Sequence, residues 1–427
     1  MKVQTIQYEK VDEILHVYQH DSGLKAFVIP KKGYSKKYAT FATHYGSINN
    51  EFVIPGETQA TKVPDGIAHF LEHKLFEQKD GSVMDKFSAL GSSPNAYTSF
   101  NQTVYLFSCT DRFDENFRLL LDFVQNPYIT EESVEKEKGI IGQEIRMYED
   151  DPGWRSFFNL LDAFYKNNPV KIDIAGTIES IGNINRDVLY RCYNTFYHPS
   201  NMVILVVGDV DPQKVFEEVE KNIKNSQSKP DIKRIFPEEP RNINKGYAEQ
   251  KLAVSTPLFQ AGFKDNRLDS RGADSLKHEV AVRILLDMIM GRSSALYNQL
   301  YNEGLINSTF ETDFTLEENY AFSMFGGESS EPVKVKEKIS GIINQLHRDG
   351  LDRATYERVK RALNGRFLRQ LNSIERISHT FMSVYFKQVN VFDYIDVYDK
   401  ISFEYVNDMF KSHFDVENMA LSVVKPV

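Results

Sequence analysis

Phe196-Tyr197-His198-Pro199-Ser200-Asn201-Met202 runs directly into the apolar stretch VILVVG (203–208). Near the C-terminus, Phe410-Lys411-Ser412-His413 is followed by Asn418-Met419 and the apolar stretch ALSVV (420–424). Two copies of one unit account for this, and a repeat settles the architecture before any single element is read. Working outward, ATFATHYGS (39–47) matches AVSTPLFQAGF (253–263), and SPNAYTSFNQTVYLFS (93–108) matches INSTFETDFTLEENYAFSMFG (306–326). The last pair alternates apolar and polar residues around a turn, as half-buried antiparallel strands do. The fold class predicted is α+β, with two homologous domains, each an antiparallel sheet packed with helices on one face. The first domain covers 1–224 and the second 247–427. Between them, NSQSKPDIKRIFPEEPRNINKG (225–246) is rich in Pro, Asn and charge and reads as a linker.

Composition sets limits around this reading. The chain's 427 residues exceed one ordinary core, which agrees with two domains. Hydrophobic residues at 41% and charged residues at 26% mark a globular chain. A net charge of -9 argues against a nucleic-acid surface and leans towards basic or neutral peptides. Cys109 and Cys192 form no disulfide framework, so a reducing compartment is the default. No apolar segment suits a signal peptide or a membrane span. A cytoplasmic protein without membrane partners is expected.

The chemistry lies in His69-Phe70-Leu71-Glu72-His73, directly after the helix-start signal Pro64-Asp65-Gly66. Residues i and i+4 share a helix face, so the two imidazoles can converge on one metal ion with Glu72 beside them. H-x-x-E-H is the inverzincin order, and two histidines with a carboxylate leave zinc an open position for water. A His/Glu pair on a helix is otherwise an ordinary solvated face. The third ligand is sought in EESVEKEKGIIGQEIRMY (131–148), a charged helix with Val134, Ile141 and Ile145 on one stripe. Glu137 and Glu144 stand two turns apart on the face of Ile141, where an unpaired carboxylate is expensive to bury. Glu144 is read as the third zinc ligand and Glu137 as a carboxylate that orients a ligand histidine. The alternative is that both are surface charges. The second copy lacks the motif, and its helix, taken to begin near Val280 (VAVRILLDMIM), is apolar where ligands would stand.

Taken together, H-x-x-E-H and the later Glu-x6-Glu helix resemble the insulinase/pitrilysin family of zinc peptidases, which includes the mitochondrial processing peptidases. The flanking words agree: Asp65-Gly66-Ile67-Ala68, Asn95-Ala96-Tyr97-Thr98, and Tyr197-His198-Pro199-Ser200-Asn201-Met202. The likeness runs the full length and is closest to a bacterial branch commonly encoded as pairs. It implies a zinc-dependent endopeptidase acting on unfolded or small peptides in an enclosed chamber between the two domains. Zinc lowers the pKa of a water and polarises a carbonyl, and Glu72 is left free to act as general base. Glu72 as a fourth ligand, or in a salt bridge with Lys74, is the alternative. By resemblance Ser93–Phe100 holds an edge strand to which a peptide adds, with Asn95 and Ala96 as substrate-binding residues. The alternative for Asn95 is a turn after Pro94. The remaining histidines (His16, His20, His44, His198, His278, His347, His379, His413) stand singly and read as structural or exposed.

One departure from the family matters. Active members carry an Arg and a Tyr in the second domain, in a Leu-Arg-x-x-x-Gly-Leu-x-Tyr setting. Anchored on Gly304-Leu305, the Arg slot here holds Leu300 and the Tyr slot Asn307. A shift by one brings in Tyr301, still not Arg, and Arg292 lies upstream as a helix-start residue. Lost donors of this kind typically cost about two to three orders of magnitude in rate. The expectation is a heterodimer in which a homologous partner subunit supplies them. The competing reading is a non-catalytic metal-binding or scaffold subunit.

Overall fold

A computed structural model describes residues 2–224, 230–268 and 271–427. The first sheet contains β1 (Val3–Tyr8), β2 (Glu13–Gln19), β3 (Lys25–Pro30), β4 (Lys37–Thr43), β5 (Ser93–Thr98), β6 (Thr103–Cys109) and β7 (Met202–Gly208), in the order β1-β2-β3-β7-β4-β6-β5. The second contains β8 (Tyr247–Leu252), β9 (Leu258–Asp265), β10 (Glu311–Leu316), β11 (Ala321–Glu328) and β12 (Met419–Pro426), in the order β8-β12-β9-β11-β10. Without the β1–β2 hairpin the two orders are the same. Directions agree as well. β3 with β7 and β8 with β12 are parallel, and the other three pairings within each matching set of five strands are antiparallel. The repeat in the sequence is a repeat of topology.

The helices that matter below are α1 (Ile67–Leu75), α2 (Phe113–Gln125), α3 (Glu131–Asp150), α4 (Pro152–Phe164), α5 (Ala273–Met290), α6 (Ile374–Tyr385) and α7 (Phe403–His413). In the first sheet, Tyr105 and Phe107 point to one face by the two-residue period of a strand. There they meet Phe123 and Phe113 of α2, with ring centroids 5.7 and 5.8 Å apart. The opposite face takes one helix, α6, through Phe381 on Phe27 at 5.0 Å. The second sheet repeats the plan. Phe263 faces Phe414, just after α7, at 5.1 Å, while Phe322 on the other face meets Phe164 of α4 at 5.9 Å.

α4 and α6 each leave their own half of the sequence. One compact unit holds residues up to Ile145 with Ile172–Ile235 and Leu371–Ser383, and the other holds Arg146–Lys171, Phe236–Gln370 and Val384–Val427. A division at 225–246 therefore assigns residues 146–171 and 371–383 to the other half. Of that predicted linker, 225–229 lie outside the described residues. The rest is tied down: Lys233–Arg234 pairs with Phe52–Val53. Glu239 accepts the N–H groups of Lys166, Asn167 and Asn168 at 2.7–2.9 Å and the Lys264 ammonium at 2.7 Å. α5 starts at Ala273, a full two turns before Val280. No helix among the described residues is long and apolar enough to cross a membrane, and both cysteines are buried and free.

Two histidines expected to stand singly share a partner in the second unit. Asp265 Oδ2 lies 2.8 Å from both His278 Nε2 and His413 Nδ1, and His413 Nε2 lies 2.8 Å from Ser323 Oγ. All four residues are buried. Burial opposes the Asp265 charge, but His413 and His278 hold its carboxyl well below the usual carboxylate range. The network joins β9, β11, α5 and α7. Asp265→Ala strands two buried donors at about 1–3 kcal/mol each. A loss of about 2–6 kcal/mol is expected in urea unfolding, and a change below about 0.5 kcal/mol, typical of a surface position, would contradict it.

Candidate metal centre

α1 begins at Gly66, whose φ of +87° a glycine adopts without strain. A Cβ there would stand 2.3 Å from the Ala175 carbonyl oxygen, so the residue is also fixed by close approach. Asp65 ties this entry down: its Oδ1 accepts from Asn50 Nδ2 and its carbonyl from Ser180 Oγ, both at 2.8 Å. The helix that follows is short and buried almost throughout, His69 and Glu72 included. Placing polar groups there is costly unless they are satisfied.

His69, His73 and Glu144 come together as a set. One donor atom from each lies within 4.8 Å of the others. Glu144 Oε1 is 3.7 Å from His69 Nε2, and its Oε2 is 3.6 Å from His73 Nε2. These separations are long for hydrogen bonds. They suit a shared ion, since two ligand atoms about 2.1 Å from one tetrahedral centre stand roughly 3.4 Å apart. The imidazole centroids are 4.6 Å apart at 65°, so the Nε2 atoms converge without the rings stacking. The three residues thus fit a divalent cation of the zinc type, with nitrogen and oxygen donors.

Electrostatics favour the same use. Burial, with the neighbouring His73 adding to it, lowers His69 to about 4, which leaves a neutral ring with a free lone pair at neutral pH. Burial also pulls on His73, but the Glu137 hydrogen bond and the charges of Glu72, Glu137 and Glu144 outweigh it and raise its pKa. Glu137 Oε1 lies 3.1 Å from His73 Nδ1. That contact directs the Nδ1 proton outward and the Nε2 lone pair towards Glu144, as a carboxylate behind a ligand histidine does. Burial opposes the charge on Glu137, yet His73 and Lys74 hold its carboxyl below its ordinary range. Glu144 and Glu137 both come from α3, whose observed start at Glu131 is the predicted one and whose buried stripe includes Val134, Glu137, Ile141 and Ile145.

Glu72 is buried and is not among the grouped donors. Burial pushes its carboxyl up, against a hydrogen bond from Thr98. Thr98 Oγ1 donates to Glu72 Oε2 at 2.7 Å. The Glu72–Lys74 salt bridge weighed from the sequence does not form. Lys74, fully buried, instead pairs with Glu77, donates to the Ser133 carbonyl at 3.3 Å and lies 3.5 Å from Glu137 Oε2.

The stretch carrying Asn95 and Ala96 is β5, the last strand in its sheet and paired only with β6 among the described residues. Asn95 is exposed, Ala96 half-buried, and Asn95 Oδ1 accepts from the Ala96 N–H at 2.9 Å. By strand alternation Ala96 shares the Thr98 face, next to α1, and Asn95 points to the other. Thr98 and Lys74 are the site residues that the motif did not reveal. The signal for Thr98 was its parity with Ala96. For Lys74 there was none, because a lysine beside a histidine normally reads as solvated.

An insulinase (peptidase family M16) model matches residues 52–178, and a model described as the peptidase M16 inactive domain matches 183–363. The uncharacterized zinc protease YmfH of Bacillus subtilis is 44% identical over 429 residues, covering 99% of each chain. Among solved structures, an M16-like peptidase from Alicyclobacillus acidocaldarius is similar with a TM-score of 0.92 at 35% identity, covering 100% of this chain and 99% of that one. A protease from Helicobacter pylori shares the fold, with a TM-score of 0.78 at 20% identity over 96% of this chain and 99% of its own.

Proposed function

The chain belongs to the insulinase family of peptidases, family M16, and from that premise we propose that it is a zinc-dependent endopeptidase subunit cleaving unfolded or small peptides in the cytoplasm. The observation that carries this reading is the convergence of His69, His73 and Glu144 within 4.8 Å, with an ionisable Glu72 held next to them and outside the ligand set. Zinc in that set supplies a Lewis acid for a scissile carbonyl and for the attacking water. The chain's own residues do the rest. An extended peptide pairs with the free edge of β5 around Asn95 and Ala96 and gains affinity from main-chain hydrogen bonds. Glu72, raised in pKa by burial, takes the proton of the attacking water and passes it to the leaving amine. Glu137 keeps His73 in the tautomer whose Nε2 is a ligand.

Elemental analysis of the purified chain is expected to give about one zinc per chain, and either His69→Ala or His73→Ala to abolish it, as loss of one of three protein ligands should. Full zinc in His69→Ala would sink the ligand assignment. The reading as a non-catalytic scaffold draws on the match of residues 183–363 to a model described as an inactive domain. It would prevail if the zinc-loaded chain cleaved no peptide either alone or with any homologous partner.

A further inference from the structure

We propose that Thr98 is a positioning residue for the general base; this rests on the peptidase reading above. Three features single it out. Its hydroxyl is aimed at Glu72, with Oγ1 2.7 Å from Oε2. Its own rotamer is backed by Thr103, whose Oγ1 lies 3.4 Å away and itself donates to the Tyr45 carbonyl at 2.9 Å. Thr103 is fully buried, so this backing belongs to the rigid interior of the sheet. The third feature is location: Thr98 closes β5, the strand whose far edge has no partner among the described residues.

A buried carboxylate beside a metal centre has two oxygens and a free torsion. Fixing Oε2 on Thr98 removes that freedom and leaves Oε1 as the proton acceptor. The anchoring hydroxyl sits on the same strand that a peptide would extend. The bond is in place without a peptide, so Glu72 is set before substrate arrives. The chemistry required is a hydrogen-bond donor on a β-branched residue suited to a strand, which threonine provides and valine does not.

Thr98→Val keeps shape and strand preference but deletes the donor, while Thr98→Ser keeps the donor. Steady-state cleavage of an unstructured peptide, with the partner subunit added, and zinc content by elemental analysis are measured on both. Thr98→Val is expected to lower kcat about ten- to hundredfold, the weight of one hydrogen bond to a charged group. KM should stay within about twofold, zinc should remain at one per chain, and Thr98→Ser should restore most of the rate. In a Glu72→Gln background, Thr98→Val should cost little more, because its target is gone. An unchanged kcat in Thr98→Val, or equal loss in Val and Ser, overturns the assignment and leaves the peptidase reading standing. Absence of both zinc and cleavage in the unaltered protein overturns the peptidase reading and this one with it.

Discussion

Glu72→Gln is expected to keep one zinc per chain and to lose peptide hydrolysis by at least about two orders of magnitude, the usual weight of a general base. The two halves of that result have separate causes. Zinc stays because the donors that converge belong to His69, His73 and Glu144, while Glu72 is engaged with Thr98. A glutamine amide can preserve that contact through its oxygen, so the local packing is retained. Activity goes because an amide cannot accept a proton from water near neutral pH. Elemental analysis and a fluorogenic peptide assay on the same preparation decide the matter. Zinc vanishing with this substitution would make Glu72 a ligand; hydrolysis surviving it would remove Glu72 from the base role.

Much of this was legible because the informative residues obey periodic rules. The Phe196–Gly208 and Phe410–Val424 stretches announced a repeat, and β3-β7-β4-β6-β5 against β8-β12-β9-β11-β10 is its spatial form. His69 and His73 meet because they are four apart on a helix, and Glu137 and Glu144 reach the same place because they are seven apart. What escaped is what periodicity does not encode. α4 and α6 carry ordinary apolar stripes, and a stripe states that a helix is buried but not against which sheet. Thus Phe381 packs on Phe27, 354 positions away in the chain, with no local sign. The Asp265–His278–His413–Ser323 network is of the same kind, since each member looks solitary until the strands and helices assemble. Lys74 enters the sequence reading only as a possible partner of Glu72; its burial against three oxygen-bearing partners has no periodic sign.

Mixing this chain with a homologous chain that carries the family's Arg and Tyr is expected to raise cleavage of an unstructured peptide by about two to three orders of magnitude, the cost typical of missing donors at developing charge. The reason lies in the two slots that should hold them. Leu300 is 1% exposed and offers only hydrocarbon. Asn307 is committed to its own turn and to the end of β11: Oδ1 accepts from the Thr309 N–H and Oγ1 at 2.8 and 2.6 Å, and Nδ2 donates to Glu328 Oε2 at 2.8 Å. Neither supplies a positive charge, and a neutral amide does not stand in for a guanidinium. A homodimer would bring a second Leu300 and a second Asn307, so self-association should leave the rate low. A heterodimer supplies the donors from a different second half while this chain contributes His69, His73, Glu144 and Glu72. The discriminating control is the reciprocal one: the partner with its Arg replaced by Leu should add nothing, while this chain with Leu300→Arg and Asn307→Tyr tests whether the donors can act in cis. Full activity from the unaltered chain alone, at a purity that excludes a co-purified homologue, would reject the need for a partner.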